Sequence, residues 1–347
     1  MKPLIKPKVL KPGDTIATIS LSWGAAGEIP GRYFIGKRRL EENFGLKVVE
    51  TPNALRSNDF IYHNPKARAE DLMGAFLNPE IKAIITNIGG EDSIRILPFM
   101  DLSIIQNNPK IFMGFSDSTI THLTCFKARL VSFYGPSVYI GFAENVNMFP
   151  YQIEDIKKSL FSTKAYGKIE PNQAGWTSER LAWENPEFDN VPRKLMPNDG
   201  WKFFQEIGKV QGRLLGGCME VLEFLKGTDY FPNLEDWEDC IFFLETSEEM
   251  PNPSQFRWFL RNMAAQGILH KIKGLILGRP YDLVHKDTYD SILKKVIYEE
   301  EGLHHLPMIT GMDFGHTCPV FTLPYGIMAE IDSDKKTFSI LEPALID

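Results

Sequence analysis

Ser116 sits where chemistry could be done. It lies in the run Lys110-Ile-Phe-Met-Gly-Phe-Ser-Asp-Ser-Thr119, where an apolar stretch reading as a buried strand turns abruptly into a helical pattern through Ile120, Leu123, Cys125 and Phe126. Gly114 allows the backbone to crowd at the bend, so the spacing predicts a strand-to-helix elbow that lifts the Ser116 hydroxyl clear of a sheet. A serine presented this way is a nucleophile for acyl transfer, and the amide of Asp117 at the helix start would face a developing oxyanion. The bland alternative is that Ser116, Asp117 or Ser118 merely caps the following helix.

A nucleophilic serine needs a base, and the base needs a group to orient it. Of seven histidines, His122 lies on the same predicted helix as Ser116 and would point along it. His63, His270, His285, His304 and His305 occupy polar or helix-end settings. His316 stands in a loop between two strands, Gly311-Met-Asp-Phe-Gly-His-Thr-Cys-Pro319, with Gly315 letting that loop approach another part of the chain. It is a candidate general base, or else a structural histidine bonded to a carbonyl. The run Ile241-Phe-Phe-Leu-Glu-Thr246 carries four apolar residues straight into Glu245. A carboxylate buried at a strand end requires a partner; its bland alternative is a turn cap that stays wet. Glu248 and Glu249 are expected to be solvated, with Glu248 the substitute if Glu245 fails. In Asn87-Ile-Gly-Gly-Glu-Asp-Ser93, Gly89 and Gly90 follow a buried strand and free backbone amides to face a ligand, which makes the loop a second oxyanion donor or a plain tight turn. It lacks the lysine and spacing of a phosphate-binding loop.

The elements that must position these residues form an α/β chain. Strands are expected at Thr15 to Ser20, Lys47 to Glu50, Ile81 to Asn87, Ile111 to Phe115 and Val131 to Tyr134, alternating with helices near Arg32 to Asn43, Pro65 to Phe76 and Ser93 to Met100. This describes an N-terminal parallel-sheet domain, residues 1–145, with Asn64 and Pro65 starting the second of those helices. Residues 146–205 read as a linker and long aromatic loop containing Trp176, Trp183 and Trp201; such loops supply lids and binding walls or simply connect domains. Residues 206–347 form a strand-rich α+β domain: a strand at Val210 to Leu215, a turn at Gly216-Gly217, a helix from Met219 to Lys226, strands at Cys240 to Glu245 and Gly274 to Gly278 flanking a helix near Ser254 to Gln266, and a closing hairpin of Ile327 to Ile331 with Thr337 to Leu341.

Composition narrows the function. The 347 residues are 43% hydrophobic and 24% charged, enough for two cores, and the net charge of -7 without a dense basic cluster argues against nucleic acid. Cys125, Cys218, Cys240 and Cys318 are widely spaced, with no C-x-x-C pair, so buried thiols are expected rather than a zinc site or disulfide framework. No apolar stretch reaches the roughly 18 residues of a membrane span, and the N-terminus has no signal-like apolar region; the expectation is a soluble cytoplasmic protein.

Taken together, Leu10-Lys-Pro-Gly-Asp-Thr-Ile16 with Ser20-Leu-Ser22, the Gly89-Gly90 loop, Gly114-Phe-Ser-Asp117, Gly212-Arg-Leu-Leu-Gly-Gly217, Leu244-Glu245 and Gly315-His316 resemble the serine peptidases that include LD-carboxypeptidases and microcin C immunity proteins. The resemblance covers nearly the whole chain. It implies a Ser116-Glu245-His316 triad, with Gly90 and Asp117 holding the oxyanion, Gly89 lining the site, a cleft between the two domains, a homodimer, and neither metal nor cofactor. Peptidoglycan-recycling members tend to carry Arg-Gly-Gly-Tyr-Gly where this chain has Ile88-Gly-Gly-Glu91. Trp176-Thr-Ser-Glu-Arg-Leu-Ala-Trp183-Glu184 looks more like the microcin-immunity branch, in which Trp176 and Trp183 would stack on the nucleobase of a peptidyl- or aminoacyl-nucleotide. The implied function is hydrolysis of an amide bond in such compounds, as self-immunity or detoxification. The alternatives are removal of the terminal D-Ala from murein tetrapeptides, a non-catalytic ligand-binding protein, or a cysteine amidotransferase of similar topology. The last would place a cysteine at the elbow, where this chain has Ser116.

Overall fold

Short, nearly continuous buried apolar runs build the first sheet. The computed structural model describes residues 3–204 and 208–347; the expected boundary at 205/206 lies outside them. The strands are β1 (Thr15–Ile19), β2 (Lys47–Glu50), β3 (Ile81–Thr86), β4 (Ile111–Gly114) and β5 (Phe133–Tyr134), then β6 (Gly167–Ile169), β7 (Lys202–Phe203), β8 (Lys209–Cys218), β9 (Cys240–Glu245), β10 (Gly274–Gly278), β11 (Met308–Met312), β12 (Leu323–Pro324), β13 (Met328–Asp332) and β14 (Thr337–Ile340). The first sheet runs β12-β5-β4-β3-β1-β2, parallel throughout except for β12 at its edge. Ala17, Ile19, Ile84 and Phe112 face one way, onto Leu72 and Phe76 of the helix Pro65–Leu77. Ile16, Ala83, Ile85, Ile111 and Met113 face the other way, in a core that takes in Tyr33, Leu40 and Phe44 of the helix Pro30–Phe44. Parallel strands covered on both faces need this doubly apolar character.

That second core continues without a break into the other sheet, ordered β6-β14-β13-β8-β9-β10-β11-β7. Its centre, β8 to β11, is parallel, and its flanks are antiparallel, including the expected β13–β14 hairpin. The architecture is thus the expected mixed α/β one, a mostly parallel sheet followed by a strand-rich half. Both β9, buried at every position, and β10 end toward the site.

Three local expectations change, and one crossover is new. Gly216-Gly217 is not a turn: β8 runs through both glycines beside β9, pairing Gly216 with Phe243 and Cys218 with Glu245. The glycines are required by closeness, since a Cβ on Gly216 would lie 1.7 Å from the Phe243 carbonyl oxygen. Asn64 stands at the N-cap with Pro65 opening the helix, as expected, but its side chain does not cap: it donates from Nδ2 to the Phe60 carbonyl at 2.9 Å, satisfying an acceptor at the end of the preceding helix Asn58–His63 instead. The region expected as loop holds a helix, Pro150–Leu160, which Pro150 starts and whose Ile156 and Leu160 are buried. This helix also grips the chain beyond His316: Gln152 Oε1 accepts from the Val320 amide at 3.1 Å and Asp155 Oδ1 from the Thr322 amide at 3.0 Å. Finally, β12, at Leu323–Pro324, crosses to pair with β5, stitching the two halves together.

Two alanine substitutions separate packing from propensity. Gly216→Ala should destabilise the fold by at least ~2 kcal/mol, because backbone must move. Gly74→Ala, on the exposed face of the helix Pro65–Leu77 with nothing within 4 Å of the new Cβ, should stabilise it by about 0.5–1 kcal/mol. Urea denaturation of the two variants beside the wild type measures both.

Candidate active site

The elbow begins where β4 ends. Ser116 has φ of +60°, a left-handed backbone that a serine adopts only under constraint. The crowding behind it is real: a Cβ on Gly114 would lie 2.3 Å from Thr86 Oγ1. A short 3₁₀ turn, Ser116–Ser118, intervenes before the helix Thr119–Lys127, and no side chain caps either element. The carboxylate of Asp117 is wholly buried and accepts from the Ser93 amide at 2.9 Å, while Ser118 Oγ bonds to Thr86 Oγ1 at 3.3 Å. Capping therefore does not account for the three residues. Ser116 is half-exposed and lines two adjoining cavities.

Glu245, at the end of β9, has no solvent exposure, yet both its oxygens are bonded. Oε2 accepts from His316 Nδ1 at 2.7 Å and Oε1 from the Tyr134 hydroxyl at 2.5 Å. The His316 loop reaches it because Gly315, with φ of +97°, comes so near that a Cβ would sit 2.9 Å from Glu245 Oε2. The imidazole packs edge-on against Phe115 with ring centres 5.0 Å apart, and its side chain is 6% exposed.

Glu248 departs from expectation. Instead of standing in solvent, its Oε2 lies 3.1 Å from His316 Nε2, and its other oxygen takes Arg180 at 2.5 Å. Burial alone would push the imidazole pKa down; the carboxylates of Glu245 and Glu248, with Glu220 beyond, outweigh it and raise it to about 9. Burial pushes the Glu248 carboxyl up, but His316 and Arg180 hold it below its usual range. Among the described residues no hydrogen bond joins Ser116 Oγ to His316. Glu249 is exposed as expected. His122 is a satisfied core residue: it is fully buried, with Nε2 2.8 Å from the Gly114 carbonyl and Nδ1 2.8 Å from Ser132 Oγ, and burial pushes its pKa down to about 3.

The Gly89-Gly90 loop abuts Ser116. A Cβ on Gly89 would stand 3.1 Å from Ser116 Oγ and 3.4 Å from the Asp117 nitrogen, and Gly90 has φ of +143°. The amides of Gly90 and Asp117 have no hydrogen-bond partner within the described residues. They are thus free to donate beside Ser116.

The two cavities differ in chemistry. One, of about 320 Å³, is bordered by Glu91, Asp92, Glu248 and Glu249 and has no lysine or arginine in its wall. The other, about 110 Å³, contains His316 together with Trp23, Trp183, Arg32, Arg180 and Arg193, and also Glu179 and the Glu248 shared with the first. Trp183 stacks on Trp23 with centres 6.5 Å apart and planes at 28°, and the Arg32 guanidinium lies 4.8 Å from its ring. Trp176 is not brought there. It is 4% exposed, pairs with Met196, and spends its indole N–H on the Pro197 carbonyl at 3.0 Å, so it anchors the loop rather than the cavity. Trp201 likewise donates to Asp313 at 2.9 Å. Sequence reasoning misses Trp23 and Arg180 as site residues and offers Glu248 only as a substitute for Glu245. Trp23 directly follows the Ser20-Leu-Ser22 run and Arg180 lies within the tryptophan segment, so position relative to those runs was the available signal.

Comparison with known proteins gives the family. Residues 16–135 match the LD-carboxypeptidase N-terminal domain and residues 211–331 the LD-carboxypeptidase C-terminal domain. The chain is 29% identical to the microcin C7 self-immunity protein MccF of Escherichia coli, over 96% of this chain and 94% of that one. It is 27% identical to a probable murein peptide carboxypeptidase of Bacillus subtilis, over 96% and 93%. An MccF-like protein from Streptococcus pneumoniae, solved in complex with AMP, superposes with a TM-score of 0.86 at 32% identity, covering 94% of this chain and 98% of that one. MccF in complex with aspartyl sulfamoyl adenosine superposes with a TM-score of 0.88 at 28% identity, covering 99% and 100%. With both domain models matched in order across the chain, it belongs to the LD-carboxypeptidase family of peptidases.

Proposed function

We propose that the chain hydrolyses an amide bond in aminoacyl- or peptidyl-nucleotide compounds through Ser116, His316 and Glu245. The observation that carries this reading is the buried Glu245–His316 pair beside a left-handed Ser116 whose neighbouring amides are free. His316 Nε2 takes the Ser116 proton as Oγ attacks the carbonyl carbon. The amides of Gly90 and Asp117 hold the oxyanion, and collapse breaks the C–N bond as Nε2–H protonates the leaving nitrogen. Water, deprotonated by the same imidazole, then releases the acyl group from Ser116.

The leaving group must lie on the side of the base that protonates it. That is the cavity lined by His316, where Trp23 and Trp183 offer ring faces and Arg32, Arg180 and Arg193 line the wall, Arg180 paired with Glu248 and Arg193 with Glu144. Aromatic faces and guanidinium groups suit a nucleobase joined to a phosphate-like linker. MccF, the structural relative, binds aspartyl sulfamoyl adenosine, which has these parts. The acyl group then falls in the acidic cavity. Glu91 and Glu249, exposed and unpaired among the described residues, give it a negative wall, so acidic acyl side chains are disfavoured here.

Turnover of an aminoacyl-sulfamoyl adenosine panel alongside a murein tetrapeptide tests the reading. The wild type should release the nucleoside product, Ser116→Ala should lose several orders of magnitude in kcat, and preference for the tetrapeptide would reassign the substrate to cell-wall peptide. A wild type inert toward both would leave a binding protein. Within the panel, lysyl and neutral acyl groups should exceed aspartyl in kcat/KM, and Glu249→Lys should shift the lysyl-to-aspartyl ratio toward aspartyl by about fivefold or more.

The pH dependence has a definite sign. A base must be neutral to accept a proton, and flanking carboxylates keep the His316 proton on to about pH 9; kcat/KM should therefore rise with pH through neutrality toward that value. Glu248→Gln removes one of the two flanking charges, so its acidic limb should move to lower pH. Rate profiles from pH 5 to pH 10 would show the displacement, and coincident limbs would contradict it.

A further inference from the structure

We propose that Tyr134 is a positioning residue of the reaction, its single hydroxyl fixing the nucleophile and the acid against each other. The inference rests on the triad reading above and extends it by a fourth residue. Tyr134 is on β5, paired in register with Gly114 at the end of β4, which places its ring beneath the elbow. Its hydroxyl accepts the Ser116 amide proton at 3.0 Å and donates its own to Glu245 Oε1 at 2.5 Å. A phenol has one proton to give and lone pairs to receive, so both bonds form at one oxygen without competition.

Nucleophile and acid come from different sheets, β4 and β9, 129 residues apart in sequence by the difference 245 − 116. Tyr134 joins them directly, through one atom. Its ring is held in turn by His122, Phe243 and Tyr325, with centres at 5.5, 5.5 and 6.4 Å. Burial, then the Glu245 charge, raises the phenol well above its ordinary range, so it stays protonated and remains a donor. Two consequences follow for the chemistry. The Ser116 amide is occupied, which leaves the oxyanion to Gly90 and Asp117. The donated proton also draws charge from Glu245, and so tempers how strongly that carboxylate holds a proton on His316.

The test uses two substitutions with opposite expected effects on His316. Tyr134→Phe removes the donor; Glu245 should then hold the imidazolium more firmly, and the His316 midpoint followed by NMR should rise by about half a pH unit or more. Replacing Tyr134 with 3-fluorotyrosine keeps the ring and both bonds but strengthens the donor, so the midpoint should fall. The remaining titratable groups around the pair are Glu248 and Glu220 facing His316, and Cys218, Glu220 and Tyr325 near Glu245; neither substitution alters them. For Tyr134→Phe, kcat on an aminoacyl-sulfamoyl adenosine and the rate of Ser116 labelling by a fluorophosphonate should both drop about tenfold to a hundredfold, with KM within about threefold of wild type. If Tyr134→Phe does not fold, the fluorotyrosine protein carries the test through its midpoint and rate profile. A His316 midpoint unmoved in every variant that folds, with unchanged kcat, overturns the role of Tyr134 while the triad stands. A wild type that neither turns over nor labels at Ser116 overturns the triad, and the Tyr134 role with it.

Discussion

The structure depends on one costly placement, a carboxylate with no access to solvent at the seam of two sheets. Glu245 is 0% exposed, and an unpartnered charge there would be strongly unfavourable. Each oxygen therefore has a donor, and each donor imposes a requirement on a distant part of the chain. His316 can reach Oε2 only because Gly315 takes a left-handed backbone against the carboxylate. The Tyr134 hydroxyl can reach Oε1 only because β5 lies beside β4 in register. Gly278 at the end of β10 also leaves room, since a Cβ there would stand 3.0 Å from the Glu245 Cβ. The hydrogen bonds that make burial tolerable are thus the ones that bring Ser116, Glu245 and His316 to one seam.

Much of this was legible in sequence because it depends on short-range rules. β9 and β10 end where the apolar runs end, the elbow follows from Gly114 and the run before it, and Gly315 beside His316 marks a close approach. What was not legible depends on neighbours far along the chain. The Gly216-Gly217 pair reads as a turn until Phe243 is placed against it. Glu248 reads as a surface residue until the His316 loop and Arg180 fold over it. The tryptophan segment could be recognised as important without showing which indole points where. Trp176 is taken into the packing by its bond to Pro197, and Trp183 is left at the cavity beside Trp23, which lies 160 residues earlier by the difference 183 − 23.

The loop that carries Trp183 is also tied to the loop that carries His316. Thr177 and Cys318 exchange both backbone hydrogen bonds, each 2.8 Å, two residues beyond His316. The helix Pro150–Leu160 holds the same stretch from the other side through Gln152 and Asp155. His316 is thereby fixed by flanking contacts as well as by Glu245, and the cavity wall and the imidazole share one support. A loop carrying catalytic and binding side chains needs a rigid scaffold of this kind to hold them within reach.

Glu248 completes the argument about order of events. Its carboxylate bridges His316 Nε2 to Arg180, and Arg180 lies 5.8 Å from the Trp183 ring. Nε2 is the only imidazole nitrogen left for Ser116, since Nδ1 is committed to Glu245. In the proposed reaction, Nε2 must therefore exchange Glu248 for the Ser116 hydroxyl before it can take a proton. An anionic linker placed against Arg180 competes for the same guanidinium that holds Glu248 in position, whereas a neutral peptide does not. In that proposal the charge of the leaving group and the freedom of His316 are coupled through these two side chains, so the cavity chemistry proposed to favour a nucleotide would also bear on when Ser116 is activated.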